Sequence, residues 1–478
     1  MLVVEETLSA SGTLATQPWY IVPYRQTDNT EFIVHSIHIF FVTKLQPDAL
    51  DIQPMKRLLL PLILFLLTLP GVITSALASK ILVPMDDAQK NHLKAYGIAY
   101  WVLKTHETEI DWLLNYRGGA FLLPQSPAFT NEMLVRGVTY EVISDADAAN
   151  ILAEIASPNA NMDAVKLQKA PKVAVYSPKT KQPWDDAVTM VMAYAEIPYD
   201  VVFDEEVLNG KLPEYDWLHL HHEDFTGQFG KFFHMKDQPW YIAQRREAEQ
   251  ISQKFGYSKV PQMKLAVVKK IRDFALGGGY MFAMCNATDT YDIALAAQNT
   301  DIVDSFYDGD PYDPQCNRKL DFSQTMAFKD FQVYTNPYMI EFSNIDNQPE
   351  ERGLAEHNDY FTLFQFSAKW NPIPTMLTQN HQGTIKGFMG QTTAFKKAYL
   401  KPQVDVLAEN RAAGEARYIH APYGKGFFTF YGGHDPEDYR HEIGEEPTDL
   451  NLHPNSAGYR LILNNILFPA AKKKKQKT

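Results

Sequence analysis

A chain of 478 residues that is 45% hydrophobic and 13% aromatic can bury an ample core, in two domains or one large one. Its formal charge of −12 argues against a nucleic-acid partner, because phosphate binding needs a basic face and the only basic run is the tail at residues 471–478. With two cysteines in the whole chain, Cys285 and Cys316, the thiols either pair as a structural disulfide or leave one free to act.

In chain order, Met55-Lys56-Arg57 precedes an apolar run at 58–69 and the small-residue sequence Ser75-Ala76-Leu77-Ala78. Basic start, apolar middle and A-x-A end are the layout of a secretory signal peptide at 55–78, and the run is short for a membrane span. Residues 1–54 then read as a non-native upstream extension, with Ser79 as the mature start. The expectation is a periplasmic or secreted protein with no stable membrane anchor after cleavage.

Residues 79–160 read as a small α/β unit, with strands near 81–84, 112–123 and 138–143 and helices at 87–103 and 145–155. The polar stretch 157–172 reads as a linker. From residue 172 strands at 173–176, 199–203 and 217–220 alternate with helices, which predicts parallel strands whose following loops share one ligand-binding edge. An aromatic-rich insert at 225–259 interrupts the alternation. A helix at 263–276 then leads through Gly277-Gly278-Gly279 to a short strand at 280–284, and Cys285 follows at once, ahead of Asn286 and a new helix. Residues 305–366 read as a long insertion, in which Asp308, Asp310 and Asp313 lack the glycine and terminal glutamate of a calcium loop. Strands at 404–409, 416–421 and 426–431 and a helix at 456–467 complete the expected domain at 172–470.

A thiol at a strand-to-helix elbow sits beside the first free N–H groups of the helix, where a thiolate is favoured. It becomes a useful nucleophile only with a base whose ring a second group fixes. His434, directly after a strand and behind Gly432-Gly433, is the candidate base, with Glu437 or the less favoured Asp435 as its orienting acid. The opening of the helix at Asn286 and the loop near Gly227 are candidate oxyanion donors. His219-Leu220-His221-His222-Glu223-Asp224 ends a strand on the same edge. There His221, His222 and Glu223 are read as lining a polar substrate pocket. A metal shared by His219, His221 and Glu223 or Asp224 is the alternative; the expected set contains no metal and no cofactor.

These residues resemble the class I glutamine amidotransferase-like superfamily, within it the trehalose-utilisation-type branch. Residues 279–287 look like its cysteine elbow, and 424–434 with 459–468 look like its late strand, histidine loop and closing helix. The resemblance covers roughly 172–470 and implies an α/β fold with a flavodoxin-like open parallel sheet, joined here to the small N-terminal α/β unit. Two positions depart from the pattern: Ala287 stands where the family has glycine, and Pro436 where it has the acid. The segment 79–123 is also similar to exported bacterial proteins labelled asparagine synthetase B, but the synthetase's N-terminal cysteine and SGG-x-DS loop are absent. The expected activity is a Cys/His amidohydrolase acting on an amide of a small molecule or glycan. The alternatives are a non-catalytic ligand- or glycan-binding module and a metal-dependent hydrolase.

Overall fold

The protein is described from a computed structural model covering residues 79–347 and 349–472, which belong to one compact unit. The signal-like segment 55–78, the extension before it and the tail beyond residue 472 lie outside the described residues.

The N-terminal sheet contains β1 (Ser79–Val83), β2 (Ile110–Leu114), β3 (Ala120–Pro124), β4 (Glu141–Ser144) and β5 (Asp163–Leu167) in the order β4-β1-β3-β2-β5. Every pairing is antiparallel. The reason is local at β2 and β3. The connection at 115–119 is too short for a crossover, and Asn115, Arg117, Gly118 and Gly119 all take left-handed φ to turn the chain back. Strand β5 lies inside the stretch read as a linker, where Asp163-Ala-Val-Lys-Leu alternates and pairs with β2.

The second sheet begins with β6 (Val173–Tyr176), β7 (Asp200–Val202), β8 (Trp217–Leu220) and β9 (Tyr280–Met284). It continues with β10 (Tyr360–Leu363), β11 (Thr384–Lys386), β12 (Phe395–Lys396), β13 (Asp405–Asn410), β14 (Glu415–Tyr423) and β15 (Gly426–Tyr431). The strand order is β11-β10-β13-β14-β15-β9-β8-β6-β7, with β12 beside β14. The pairings from β7 to β15 are parallel, and those from β15 to β11 and between β12 and β14 are antiparallel. The expected flavodoxin-like open parallel sheet is therefore corrected to a mixed sheet with more antiparallel than parallel pairings, next to an all-antiparallel sheet in place of an α/β unit. The correction arises beyond the parallel strands: β10 comes from the end of the stretch read as insertion and β11 from residues given no element, and both extend the sheet beyond β13.

Alternation along the strands builds the layers. Val173, Val175, Trp217, Phe282 and Met284 face a shared core with Ile81, Val83, Trp112 and Phe121 of the first sheet. Between the sheets lie α1 (His92–Thr105), α2 (Ala187–Ala195) and α5 (Ala457–Leu467). On the opposite face, Ala174, Tyr176, Leu218, Leu220, Met281 and Ala283 pack on α3 (Val260–Gly277) and α4 (Ala287–Ala296). Leu82, Leu113, Ala120 and Leu122 cover the outer face of the first sheet with Ala148 and Ile155. Close approach needs a small residue at one crossing, where a Cβ on Gly97 of α1 would overlap the Ala195 carbonyl of α2. Buried Arg460 of α5 donates to the Met85 carbonyl at 2.8 Å and to that of Gly118, which ties the middle layer to the first sheet.

A second buried cation has one obvious task. Lys264 of α3 donates to both Asp204 carboxylate oxygens, at 2.8 and 3.0 Å, and to the Tyr176 hydroxyl at 3.0 Å, while Tyr176 donates to Asp204. Removing one partner of a buried pair leaves a desolvated charge, which costs about 3–5 kcal/mol. Lys264→Met is expected to lower unfolding stability by about 3 kcal/mol in a urea titration, and Asp204→Leu added to it to recover most of that loss. A single variant as stable as wild type defeats this account.

Candidate active site

Three parallel neighbours end level with one another. Leu220 pairs with Ala283, and Met284 with Tyr431, so the chain leaves β8, β9 and β15 at one edge. The next residues are His221, Cys285 and, three past Tyr431, His434. Strand β6 ends on the same edge, Tyr176 opposite Leu220, and its following loop brings Asp185 and Asp186.

Cys285 has φ of +49°, a left-handed conformation that a residue with a Cβ rarely adopts, between β9 and α4. Its N–H donates to the Gly433 carbonyl at 3.1 Å, its carbonyl accepts the Thr288 hydroxyl at 2.6 Å, and the Gln391 N–H points at its sulfur at 3.3 Å. Both cysteines are free thiols, so the disulfide alternative is not what the structure contains. Cys316 lies instead in the core beneath α4.

His434 interacts with the Cys285 side chain, and Asp185 Oδ1 lies 3.5 Å from its Nε2. Burial pulls the imidazole down, but hydrogen bonds and charge from Asp185 and Cys285 outweigh it and push His434 up to about 10. Asp185 also lies 3.1 Å from Nε2 of His441, whose ring stacks on His434 at 4.4 Å. Burial would raise the Asp185 carboxyl, yet the His434 and His441 rings hold it below the usual carboxylate range.

The carboxylate beside His434 is Asp185 rather than the expected Glu437. Glu437 Oε2 pairs with His453 Nδ1 at 3.1 Å, and Asp435 accepts the Glu437 N–H at 2.9 Å and the Thr448 hydroxyl at 2.8 Å. Pro436 between them has no N–H and a fixed φ, and the turn it sits in, closed by a bridge from Asp435 to Asp438, takes the acids away from the ring. Asp185 lies between the expected strands at 173–176 and 199–203, in a stretch read only as one of the alternating helices. Two adjacent acids after a strand on the ligand edge were the signal for it.

The histidine cluster lies beside this pair. His221 and His222 stack at 3.8 Å, and His434 is 4.8 and 4.7 Å from them, centroid to centroid. Asp186 caps α2 by accepting the Val188 and Thr189 N–H groups with one oxygen. Its other oxygen lies 3.1 Å from His219 Nε2 and 3.3 Å from His221 Nδ1. Burial lowers His221 to about 4 despite Asp186, and holds His222 well below the ordinary imidazole value, so both rings are neutral. Glu223 is buried, its Oε2 has no hydrogen-bond partner, and burial raises it to about 8 against the charge of Lys264. A cavity of about 60 Å³ is lined by His222, Glu223, Gly227, Trp184 and Phe232 but not by Cys285 or His434. Gly227 lines that cavity and packs on Pro261. Asn286 does stand at the opening of α4, with its side-chain oxygen buried and unpartnered.

The loop 388–394, which sequence reasoning missed, completes the site. Close packing on the histidine loop requires glycine: a Cβ on Gly390 would meet the backbone at Gly433 and His434, and one on Gly432 the Thr393 carbonyl. His434 donates its N–H to the Met389 carbonyl and Gly433 to that of Thr392, both at 2.9 Å. Buried carboxylates hold the other side. Asp346 accepts the Thr393 and Ala394 N–H groups at 2.9 and 3.0 Å, and Asp289 of α4 accepts the Thr392 hydroxyl at 3.0 Å.

No protein-family model matches the chain, and no curated protein matches it. Among solved structures, a cytoplasmic protein from Salmonella typhimurium is 9% identical with a TM-score of 0.32, covering 63% of this chain and all of its own. Another from Salmonella typhimurium LT2 is 10% identical with a TM-score of 0.30 over the same share of this chain and 100% of its own. A beta-galactosidase from Bacillus circulans sp. alkalophilus is 13% identical, covers 56% of this chain and 29% of its own, and has a TM-score of 0.24. Likenesses this slight carry no functional argument.

Burial, as the largest influence, pushes both Asp289 and Asp346 up to about 7, against hydrogen bonds that favour the charged form. With folded values above the unfolded ones, the native state holds the extra protons. Their contribution is full below about pH 4 and is lost as pH rises through about 7, with a slope of about 1.4 kcal/mol per pH unit for each group. Asp289→Asn is expected to flatten the decline of stability between pH 4 and 7 in denaturant titrations. An unchanged slope rules this carboxyl out as its source.

Proposed function

We propose that the chain is an exported, amidotransferase-like thiol amidohydrolase that cleaves an amide of a small molecule or glycan. One observation carries the reading: a cysteine in left-handed conformation at a strand-to-helix elbow, with a buried imidazole interacting with its side chain and a carboxylate 3.5 Å from that imidazole. Likeness to the amidotransferase-like superfamily rests on this elbow and on the Gly432-Gly433-His434 loop, not on the sheet.

In the proposed reaction the Cys285 thiolate adds to the amide carbon, and the carbonyl electron pair moves to oxygen. The Gln391 N–H, aimed at the sulfur, favours the thiolate. The Asn286 N–H at the helix opening is assigned to the oxyanion. Collapse expels the amine, which takes its proton from the His434 imidazolium, and leaves a thioester. Neutral His434 then takes a proton from water as the water attacks, and the acid and thiol are released. Asp185 acts on the ring rather than on substrate, as a positioning residue. His222 and Glu223 line the adjacent cavity and are assigned to substrate recognition, Glu223 as a neutral carboxyl that donates a hydrogen bond. The synthetase label is not adopted, since no ATP-binding motif accompanies the site.

Ammonia release from a panel of primary amides tests the assignment. Cys285→Ala should lose about a thousandfold in kcat/KM, and Asp185→Asn about a hundredfold in kcat with KM nearly unchanged. Iodoacetamide at mildly acidic pH should label Cys285 and spare buried Cys316. Full activity in Cys285→Ala ends the nucleophile reading, and an unreactive thiol in a folded protein without amidase activity leaves the binding module.

Export is proposed from the order of charge, apolar run and small residues at 55–78. Intact-mass analysis of protein from its native host should find a chain beginning at Ser79. A mature chain that retains residues 1–54 overturns it.

A further inference from the structure

We propose that His221, His222 and His434 bind one divalent transition-metal ion of the zinc class, and that the ion and the Cys285 chemistry exclude each other because both need His434. The three imidazoles each offer a ring nitrogen, all within 4.8 Å of one another. Two further sets overlap them: Asp185 with His434 and His441, and Asp186 with His219 and His221. Of five candidate groupings among the described residues, three therefore converge on one sheet edge.

Independent observations point to a cation. Nε2 of His221 and Nε2 of His222 are buried and have no hydrogen-bond partner, a costly condition for polar atoms that a metal relieves. The carboxylate of Asp186 lies 3.3 Å from the opposite nitrogen of His221, close enough to attract a ligating ring electrostatically though not hydrogen-bonded to it. Asp186 is itself held by the two N–H groups it caps. Nitrogens around a tetrahedral zinc lie about 3.4 Å apart for bonds of about 2.05 Å, so closure of roughly an ångström is required. His222 is the partly exposed member of the set, and it supplies the closure by rotating out of its stack on His221. Imidazole donors select zinc, cobalt, nickel or copper rather than calcium or magnesium. Three protein ligands leave a fourth position, for water or for Asp185.

Sequence alone placed the alternative metal on His219, His221 and an acid at 223 or 224. The three-dimensional set differs: His219 is occupied behind the site by Asp186, and Asp224 accepts the Thr226 and Gly230 N–H groups. His434, more than two hundred residues away, takes their place.

The inference does not depend on amide cleavage, and its test reads metal and thiol separately. Purified mature protein is stripped with chelator and titrated with zinc chloride by calorimetry, and cobalt chloride is added to a second sample for its visible spectrum. One zinc per chain and the intense cobalt bands of a tetrahedral site are expected. His222→Ala, which leaves Cys285 and His434 in place, should weaken zinc binding about 100-fold. The exposed His106→Ala should bind as wild type does. Zinc should slow alkylation of Cys285 by iodoacetamide in wild type and not in His222→Ala, with circular dichroism confirming that the variant is folded. Absence of stoichiometric binding, or binding that survives His222→Ala, overturns the proposal. Amidase activity that persists in metal-free protein leaves the thiol reading standing whichever way the metal result falls.

Discussion

The site depends on the register of β8, β9 and β15. Their parallel pairing sets Leu220 against Ala283 and Met284 against Tyr431, so His221, Cys285 and the Gly432-Gly433-His434 turn leave the sheet together. A slip of one residue in β9 would exchange its faces, moving Phe282 and Met284 out of the inter-sheet core and Met281 and Ala283 into it. Because both faces of β9 are buried, that slip is strongly disfavoured. The position of the thiol is thus set by core packing far more than by any contact of its own.

The residues 185 and 186 divide the polar work of that edge. Asp186 has an extended backbone, with φ −128° and ψ 112°, as an N-cap requires. Neighbouring side chains on extended backbone point to opposite sides. Asp186 accordingly turns toward His219 and His221, and Asp185 toward His434 and His441. A helix cap, whose local purpose is to satisfy two N–H groups, in this way supplies both carboxylates that face the histidine cluster.

How much of this the sequence disclosed follows from the range of the interactions concerned. Strands near 173–176, 217–220, 280–284 and 426–431 were legible because each is a short apolar run bounded by turn residues. The elbow at Cys285 was legible because glycines, strand and helix opening lie within a dozen residues. Strand partnership was not, since β10 reaches β13 only through pairings that no local pattern specifies, and a short alternating run such as Tyr360–Leu363 is weak against its acidic, aromatic surroundings. For the same reason Glu437 and Asp435 were the acids considered and Asp185 was not: proximity in sequence to His434 was visible, and a parallel strand order that brings residue 185 beside residue 434 was not.

Magnitudes decide whether the elbow can hold its strained geometry. A residue with a Cβ in the left-handed region costs about 1–2 kcal/mol, and glycine at the same place would cost little. Against this stand the hydrogen bonds of Cys285 to Gly433 and Thr288 and the Gln391 N–H on its sulfur, each contributing about 1 kcal/mol net. Two of these three bonds come from the 388–394 and 432–434 loops, and without them about 1 kcal/mol remains against the strain. The conformation therefore persists only while the 388–394 and 432–434 loops stay packed, and those loops are held by glycine contacts and by Asp289 and Asp346, carboxyls whose own burial is unfavourable when charged. Strain at the sulfur, three crowded imidazoles and two poorly solvated acids all lie around one edge. Glycine at position 285 would adopt the left-handed conformation at less cost, so the side chain there is the departure that the proposed thiol chemistry accounts for.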